Sequence, residues 1–454
     1  MALTKTAKIL RSIRKETENY TSYGWLPINL SVKELEEVLQ EHFKGKRKYS
    51  VQRAISCLSS LLIIRYNTAI KYRTRAWYIG YTNISRNVFV EWVGTDYKDY
   101  INALLDGGIL ETDNCYVVKR KSKGYKIKTY YTTPEDGEWR KFYRVAYTDD
   151  SLIIRAYNAR KLRQAKCSGL KARKELDEIC QVLAKTVDLD TARQDMDALA
   201  KMYGDSYRIG KRSLFECFYQ LERLKSGDVI YNPKDDFGYR FHTAITNLPS
   251  SLRKYILVNG QPPCEVDFSN SNAFYFGCIA KYPDAILRLR GSNIDEDVVR
   301  KISSYYQNGA SDYVEFVDEA LKGKLYEFIM ERVETIYKPI DRKEAKSLVM
   351  KFMNSNDKQY VKLKQRIGFV LPSIVEVCNS LNANEAKAIP MILQRVEATI
   401  ILDNIVPALI DNSQYPFTTI HDSFLCSKED KPLVIHLIEE THTRLGLPVP
   451  QIKE

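Results

Sequence analysis

Apolar positions along the chain follow two periods. In VKELEEVLQEHF they recur at helical spacing, and residues 1–45 read as helical. The next stretch, KYSVQRAISCLSSLLIIRYNTAIKYRTRAWYIGYTN, predicts a helix and then a hairpin. In its strand part Lys71, Arg73, Arg75 and Trp77 alternate with Tyr72, Thr74, Ala76 and Tyr78, a period of two. Residues 98–131 repeat this arrangement, with a helix (YKDYINALLDGGILE), a turn, and a ribbon (CYVVKRKSKGYKIKTYY) carrying Lys123 and Lys126. TTPEDGEW (132–139) has the Pro, Gly and acids of a linker. Residues 152–225 predict Arg- and Lys-rich helices. From about residue 228 the pattern changes to short apolar strands, Pro and Gly turns, and long helices. The expectation is an α+β protein of three parts: an N-terminal domain (1–135), a helical region (150–227) and a larger unit (228–454).

Helix, glycine turn and basic ribbon are the outline of a winged helix, with the ribbon touching phosphate. A plain α+β domain with a solvated basic strand fits the same residues. Lys71, Arg73, Arg75, Lys123 and Lys126 are the candidate nucleic-acid contacts of this half. Charge adds to the picture. The net charge is +12, but residues 1–226 hold 42 Lys and Arg against 27 Asp and Glu, which leaves the remainder at −3. A polyanion-binding half is thus joined to a half that keeps its carboxylates.

Other features exclude classes. No run of about 18 uncharged apolar residues predicts a membrane span. Nine scattered cysteines, without zinc-ligand spacing, point to core thiols in a reducing, cytoplasmic compartment. The basic, acid-free first fifteen residues faintly suggest a presequence, and a surface helix explains them as well.

Two aspartates carry the candidate chemistry. Asp267 lies in CEVDFSNSNAFYF and Asp422 in TTIHDSFLC, each at the end of an apolar, β-branched or aromatic run that reads as a short strand. A carboxylate there is costly unless a cation sits beside it. Two such carboxylates can hold a pair of magnesium ions, the arrangement that transfers nucleotides.

The order of elements after residue 228 resembles the polymerase half shared by family A DNA polymerases and single-subunit phage-type RNA polymerases. That order is DDFGYR, EVDFSNSN, DRKEAKSLVMKFMNS, IPMILQRVEATI, IHDSF and TRLGLPVPQ. The resemblance covers about half the chain. It implies a right-hand palm and fingers, preceded by a helical thumb-like region. It implies that Asp267, Asp422 and the carbonyl of Phe268 bind two Mg2+ ions. It places His421 at the end of the growing strand, and Arg342 and Lys346, one helical turn apart, on the incoming triphosphate. Arg240 matches a residue that contacts the duplex, although Tyr239 interrupts the Gly-Arg pair. Gln394 and Arg395 match a helix that faces the template.

Departures concentrate at sugar selection. Asn272 stands where the DNA enzymes have Glu and the RNA enzymes Gly. Asn354 and Ser355 stand where both have Tyr and Gly, and Met350 matches the RNA enzymes. IHDSF resembles the RNA enzymes, whereas TRLGLPVPQ and the 155-residue separation of the aspartates resemble the DNA enzymes. The expected activity is DNA-templated DNA synthesis for a phage, plasmid or other mobile element. Its partners would be template, primer and dNTP or rNTP, with room for a small replication protein or helicase. A primase or RNA polymerase is the alternative, and a DNA-binding replication initiator without catalysis is the alternative of another class. No Asp-x-Glu strand in residues 1–225 predicts a proofreading exonuclease.

Overall fold

The computed structural model describes residues 22–45, 48–72, 80–117, 121–133, 135, 138–165, 170–227, 230–232, 234–335, 339–383 and 387–453. It is a mixed α+β protein of two compact units. One comprises Met1–Arg163 and Leu189–Ser226, the other Gln164–Asp188 and Gly227–Glu454. Among the described residues no helix is long and apolar enough to cross a membrane.

In the first unit Tyr23–Pro27 is a strand, not the helix expected there. It pairs antiparallel with Phe142–Ala146, with Gly24 opposite Val145. Its Trp25 and Leu26 are buried, and that tertiary burial overrides a local pattern too short to carry a period. The pairing spans the TTPEDGEW stretch. Trp139 at its end is buried and donates its indole N–H to Asp197 at 2.8 Å. The stretch therefore runs within one unit. Helix Val32–Phe43 starts at Ser31, whose hydroxyl accepts from the Glu34 amide at 3.0 Å.

The helix Val51–Tyr72 buries Ala54, Ile55, Cys57, Leu58, Leu61 and Leu62 along one stripe. It includes Lys71, which the alternating pattern placed on a strand. Once the buried turns nucleate a helix, each further residue adds a bond at little cost. Arg73 and Arg75 lie outside the described residues. Of the second ribbon, Gly124–Ile127 is a strand, lying between Leu110–Thr112 and Thr82–Asn83 in an antiparallel sheet, whereas Thr129–Thr132 is helical and Leu110–Thr112 begins inside the stretch read as a helix. The helices read over 152–225 are present, but Leu189–Tyr203 and Leu214–Lys225 belong to the first unit and Lys171–Lys185 to the second.

The second unit centres on a four-stranded antiparallel sheet. Its order is Thr418–Ile420, Ser423–Cys426, Cys264–Phe268, Ile452–Lys453. Asn270 leaves the Cys264–Phe268 strand at φ +41°, a left-handed conformation that asparagine tolerates, and its side-chain amide donates to Ala320 O at 3.0 Å. Helix Ser271–Lys281 follows. It is apolar all round, with Ala273 to Ala280 buried, and packs against Glu296–Gln307, Ser311–Leu321 and Ala388–Ile400. Helix Ala388–Ile400 runs through a π turn at Ile401–Ile405 into Val406–Asn412. Pro407 has no N–H and would clash with the carbonyl four residues back, and the wider turn absorbs both defects.

Candidate active site

The two aspartates meet through backbone pairing. Thr418–Ile420 and Ser423–Cys426 form a hairpin whose last pair is Ile420 opposite Ser423, so His421 and Asp422 make the turn. His421 takes φ +55°. The Ser423 hydroxyl donates to the Ile420 carbonyl (3.2 Å) or to Glu265 (2.7 Å), closing the turn. Ser423 also faces Asp267 across the central strand pair. The Phe268 amide donates to the Asp422 carbonyl at 3.3 Å. Residues 155 apart in sequence are thereby fixed beside each other.

Electrostatics follow from that proximity. Burial, then the charge of Glu397, then that of Asp267 push the Asp422 carboxyl up to about 7. Glu397 is 1% exposed, and Arg240 holds it by two nitrogens at 2.9 and 2.6 Å. Ser271 donates to its other oxygen at 2.9 Å. Asp267 pairs with Lys453. Glu265, on the same strand, pairs with Arg253 at 2.8 and 2.9 Å. Among the described residues no ion pair compensates Asp422. Glu397 and Lys453 were not among the sequence candidates. Glu397 had a signal, a lone acid inside the apolar run IPMILQRVEATI. Lys453 had none, because cross-strand register decides its neighbour.

His421 is neutral. Burial, then Arg240 and His242, bring its imidazole down to about 4. Its Nδ1 is buried without a hydrogen bond among the described residues. The His242 ring meets it edge-on at 5.4 Å, and His242 is held by Asp235 at 2.9 Å. Asp235 also accepts from the amides of Phe237, Gly238 and Arg240 at 2.9, 2.6 and 2.9 Å. One carboxylate thus shapes the loop that carries Arg240. Gln394 and Arg395 support the same loop. A Cβ on Gly238 would come within 2.8 Å of the Gln394 Cβ. Arg395 donates to the carbonyls of Phe237 (3.0 Å), Asn293 (2.9 Å) and Asp236 (3.2 Å), and its guanidinium lies 4.4 Å from the Tyr239 ring centre.

Helix Arg342–Met353 begins with a reciprocal cap between Asp341 and Glu344, which sets Arg342 at its first position and Lys346 one turn on. Lys346 is exposed. Arg342 donates to Glu327 at 2.7 Å and lies over the Tyr326 ring. Tyr326 is near enough to both Arg342 and Asp422 for each to perturb its phenol, which burial pushes up. At the end of this helix the residues expected to select the sugar converge. Asn272 and Asn354 each turn their amide nitrogen to the Met350 sulfur, at 3.8 and 3.9 Å. A thioether is a weak acceptor, so both carboxamides are loosely held. Ser355 is buried, and the Lys364 ammonium, seated on the carbonyls of Ser355 (3.0 Å) and Asn356 (2.7 Å) and on Asn379 (2.8 Å), fixes the backbone there. In the first unit Lys123 is exposed and Lys126 pairs with Glu111 at 3.5 Å.

Among the described residues no group of three or more His, Cys, Asp or Glu forms a ready metal cage. The donors that remain are Asp267, Asp422 and the Phe268 carbonyl. A carboxyl raised by burial and then by two neighbouring negative charges suits a cation, because a divalent ion would offset both and lower its pKa again. Comparison with family models, with curated proteins and with solved structures returned no match to this chain.

Proposed function

We propose that the chain is a template-directed nucleotidyltransferase whose reaction is joined at Asp267 and Asp422. The observation that carries this reading is the strand pairing that sets Asp422 beside Asp267, with Glu397 near enough to perturb the Asp422 carboxyl. When bound, two Mg2+ ions supply Lewis acidity toward the attacking hydroxyl and the leaving pyrophosphate. Asp267, Asp422 and the Phe268 carbonyl would hold them. Neutral His421, with a free buried nitrogen, orients the end of the growing strand. Arg342 and Lys346 neutralise triphosphate charge, and Arg342 leaves Glu327 to do so. Arg240 anchors Glu397. The basic first unit binds nucleic acid through Lys123 and its neighbours.

DNA-templated DNA synthesis is the principal activity. The paired carboxamides of Asn272 and Asn354 favour a second reading, in which ribonucleotides are also accepted as a primase would. The test is extension of a primed DNA template with Mg2+ and dNTPs or rNTPs. Template-coded extension that Asp422→Asn abolishes supports the proposal. Nucleic-acid binding without extension under either nucleotide set supports an inert replication initiator instead.

A further inference from the structure

Three carboxylates in and beside the sheet are neutralised in two different ways. Glu397 and Glu265 are each held by an arginine through two contacts, Arg240 on the first and Arg253 on the second. Two Arg240 nitrogens share one Glu397 oxygen and one Arg253 nitrogen spans both Glu265 oxygens, so a planar guanidinium fixes each glutamate at two points. Asp267 is held instead by a lysine, a point charge on a flexible stem. The lysine and aspartate side chains are 41% and 31% exposed, so water screens their attraction and an exposed pair of this kind is worth little.

The position of that lysine is set by backbone. Asp267 and Lys453 are directly opposite in the antiparallel pair, and Phe268 is opposite Ile452. Side chains opposite one another share a face. The Ser269 amide donates to the Gln451 carbonyl at 2.7 Å, and Gln451 packs on Gly323, where a Cβ would lie 3.1 Å from its own Cβ. The Ile452–Lys453 strand is therefore anchored beside Asp267 by both backbone and packing.

We propose that Lys453 is a built-in counter-cation, which occupies Asp267 until a divalent ion displaces it and so sets the divalent-ion affinity of the site. The proposal rests on the reading of Asp267 and Asp422 as metal ligands. A cation on Asp267 lowers the repulsion that faces Asp422 in the metal-free protein. The same cation competes with the incoming ion, since one carboxylate oxygen cannot serve both fully.

The probe is Mn2+, with the free ion measured by electron paramagnetic resonance in the absence of nucleotide. The wild type, Lys453→Met, Lys453→Gln and Asp422→Asn proteins are compared, each with its thermal unfolding recorded. Lys453→Met and Lys453→Gln are expected to bind Mn2+ roughly 3-fold or more tightly than wild type, the scale of one exposed ion pair. Asp422→Asn is expected to bind it weakly. Unchanged or weaker binding by both folded Lys453 variants, with binding still lost in Asp422→Asn, overturns the proposal and leaves the metal-site reading standing. Binding that is absent from wild type and both Lys453 variants overturns the metal-site reading and the proposal together.

Discussion

The amide of Phe268 donates to the carbonyl of Asp422 at 3.3 Å, so the residue after one aspartate is tied to the backbone of the other. The bond makes the separation of the two carboxylates a property of the sheet. A side-chain substitution at either aspartate leaves it intact. Effects of such substitutions then report on charge, not on collapse of the site.

Asp422→Asn illustrates this. The wild-type carboxyl is raised to about 7 from an ordinary 3.8. The unfolded chain releases that proton near 4, whereas the metal-free fold retains it to about 7. The stabilising contribution is therefore complete below about 4 and lost as pH rises through about 7. Asparagine does not ionise. In EDTA, Asp422→Asn is expected to unfold at a higher temperature than wild type at pH 8, by roughly 1–3 kcal/mol of stability. The difference should shrink as pH falls toward 4. The same variant is expected to lose primer extension by roughly 1,000-fold or more, the order of about 4 kcal/mol. Thermal melts across pH, set beside an extension assay, check both arms. A destabilised Asp422→Asn protein at pH 8 would show that the neighbouring carboxylates do not strain the site.

Sugar choice gives a second prediction. Asn272 and Asn354 approach one sulfur from two elements, and neither has a strong acceptor in that contact. Each has capacity left for a 2′-hydroxyl. The ratio of kcat/KM for dNTP over rNTP is expected to stay below ~100, or about 2.7 kcal/mol. Asn272→Glu should raise the ratio about 10-fold by crowding the 2′ position. Single-nucleotide incorporation kinetics measure both, and a wild-type ratio well above that bound would remove the carboxamides from sugar recognition.

The loop behind Arg240 is exposed to a third test. Gly238 packs so closely on Gln394 that an added Cβ lies 2.8 Å from the Gln394 Cβ. Gly238→Ala must shift the loop or the Ala388–Ile400 helix, and overpacking of this kind costs about 1–3 kcal/mol. Shortening Gln394 to Ala leaves the offending Cβ in place, so the double variant should recover only part of the loss. Denaturant melts of the two single variants and the double variant decide it. Full recovery would locate the clash in the amide tip instead.

Legibility in the sequence differed by the range of the cause. Asp267 and Asp422 stood out because each closes an apolar run, a signal held within a few residues. The capped helix bearing Arg342 and Lys346 was equally local, with Asp341 and Glu344 three apart. Glu397 was obscured because its partner Arg240 is 157 residues away. Lys453 was obscured because strand register, which no local pattern encodes, sets it opposite Asp267. Two errors were of period. Lys71 alternates as a strand would, yet continues a helix nucleated by the buried stripe from Ala54 to Leu62. Tyr23–Pro27 is too short to show alternation and becomes a strand only through Phe142–Ala146.

His442 provides the last prediction. It is fully buried on helix Lys431–Arg444. Its Nδ1 lies 2.8 Å from the Ile438 carbonyl, which requires the proton on Nδ1. Its Nε2 then accepts from the Tyr275 hydroxyl at 3.5 Å, and its ring stacks on that of Tyr275 with Phe268 and Phe274 at its edges. Both nitrogens are used by the neutral form, and burial brings the imidazole down to about 4. The unfolded chain takes up a proton near 6.5 while the fold refuses it until about 4. Stability from this group is complete above 6.5 and lost as pH falls toward 4, with a scale of roughly 2–3 kcal/mol. His442→Phe keeps an aromatic ring among the others and removes the titration. Its cost at pH 8 is the lost Ile438 contact and the weaker Tyr275 contact, together about 1–2 kcal/mol. Between pH 6.5 and 4 the variant should lose less stability than wild type, so the two curves converge and then cross. Asp422 and His421 titrate in both proteins and largely cancel in the difference. Parallel curves from pH 8 to pH 4 would mean that the His442 ring takes its proton inside the fold as readily as in the unfolded chain.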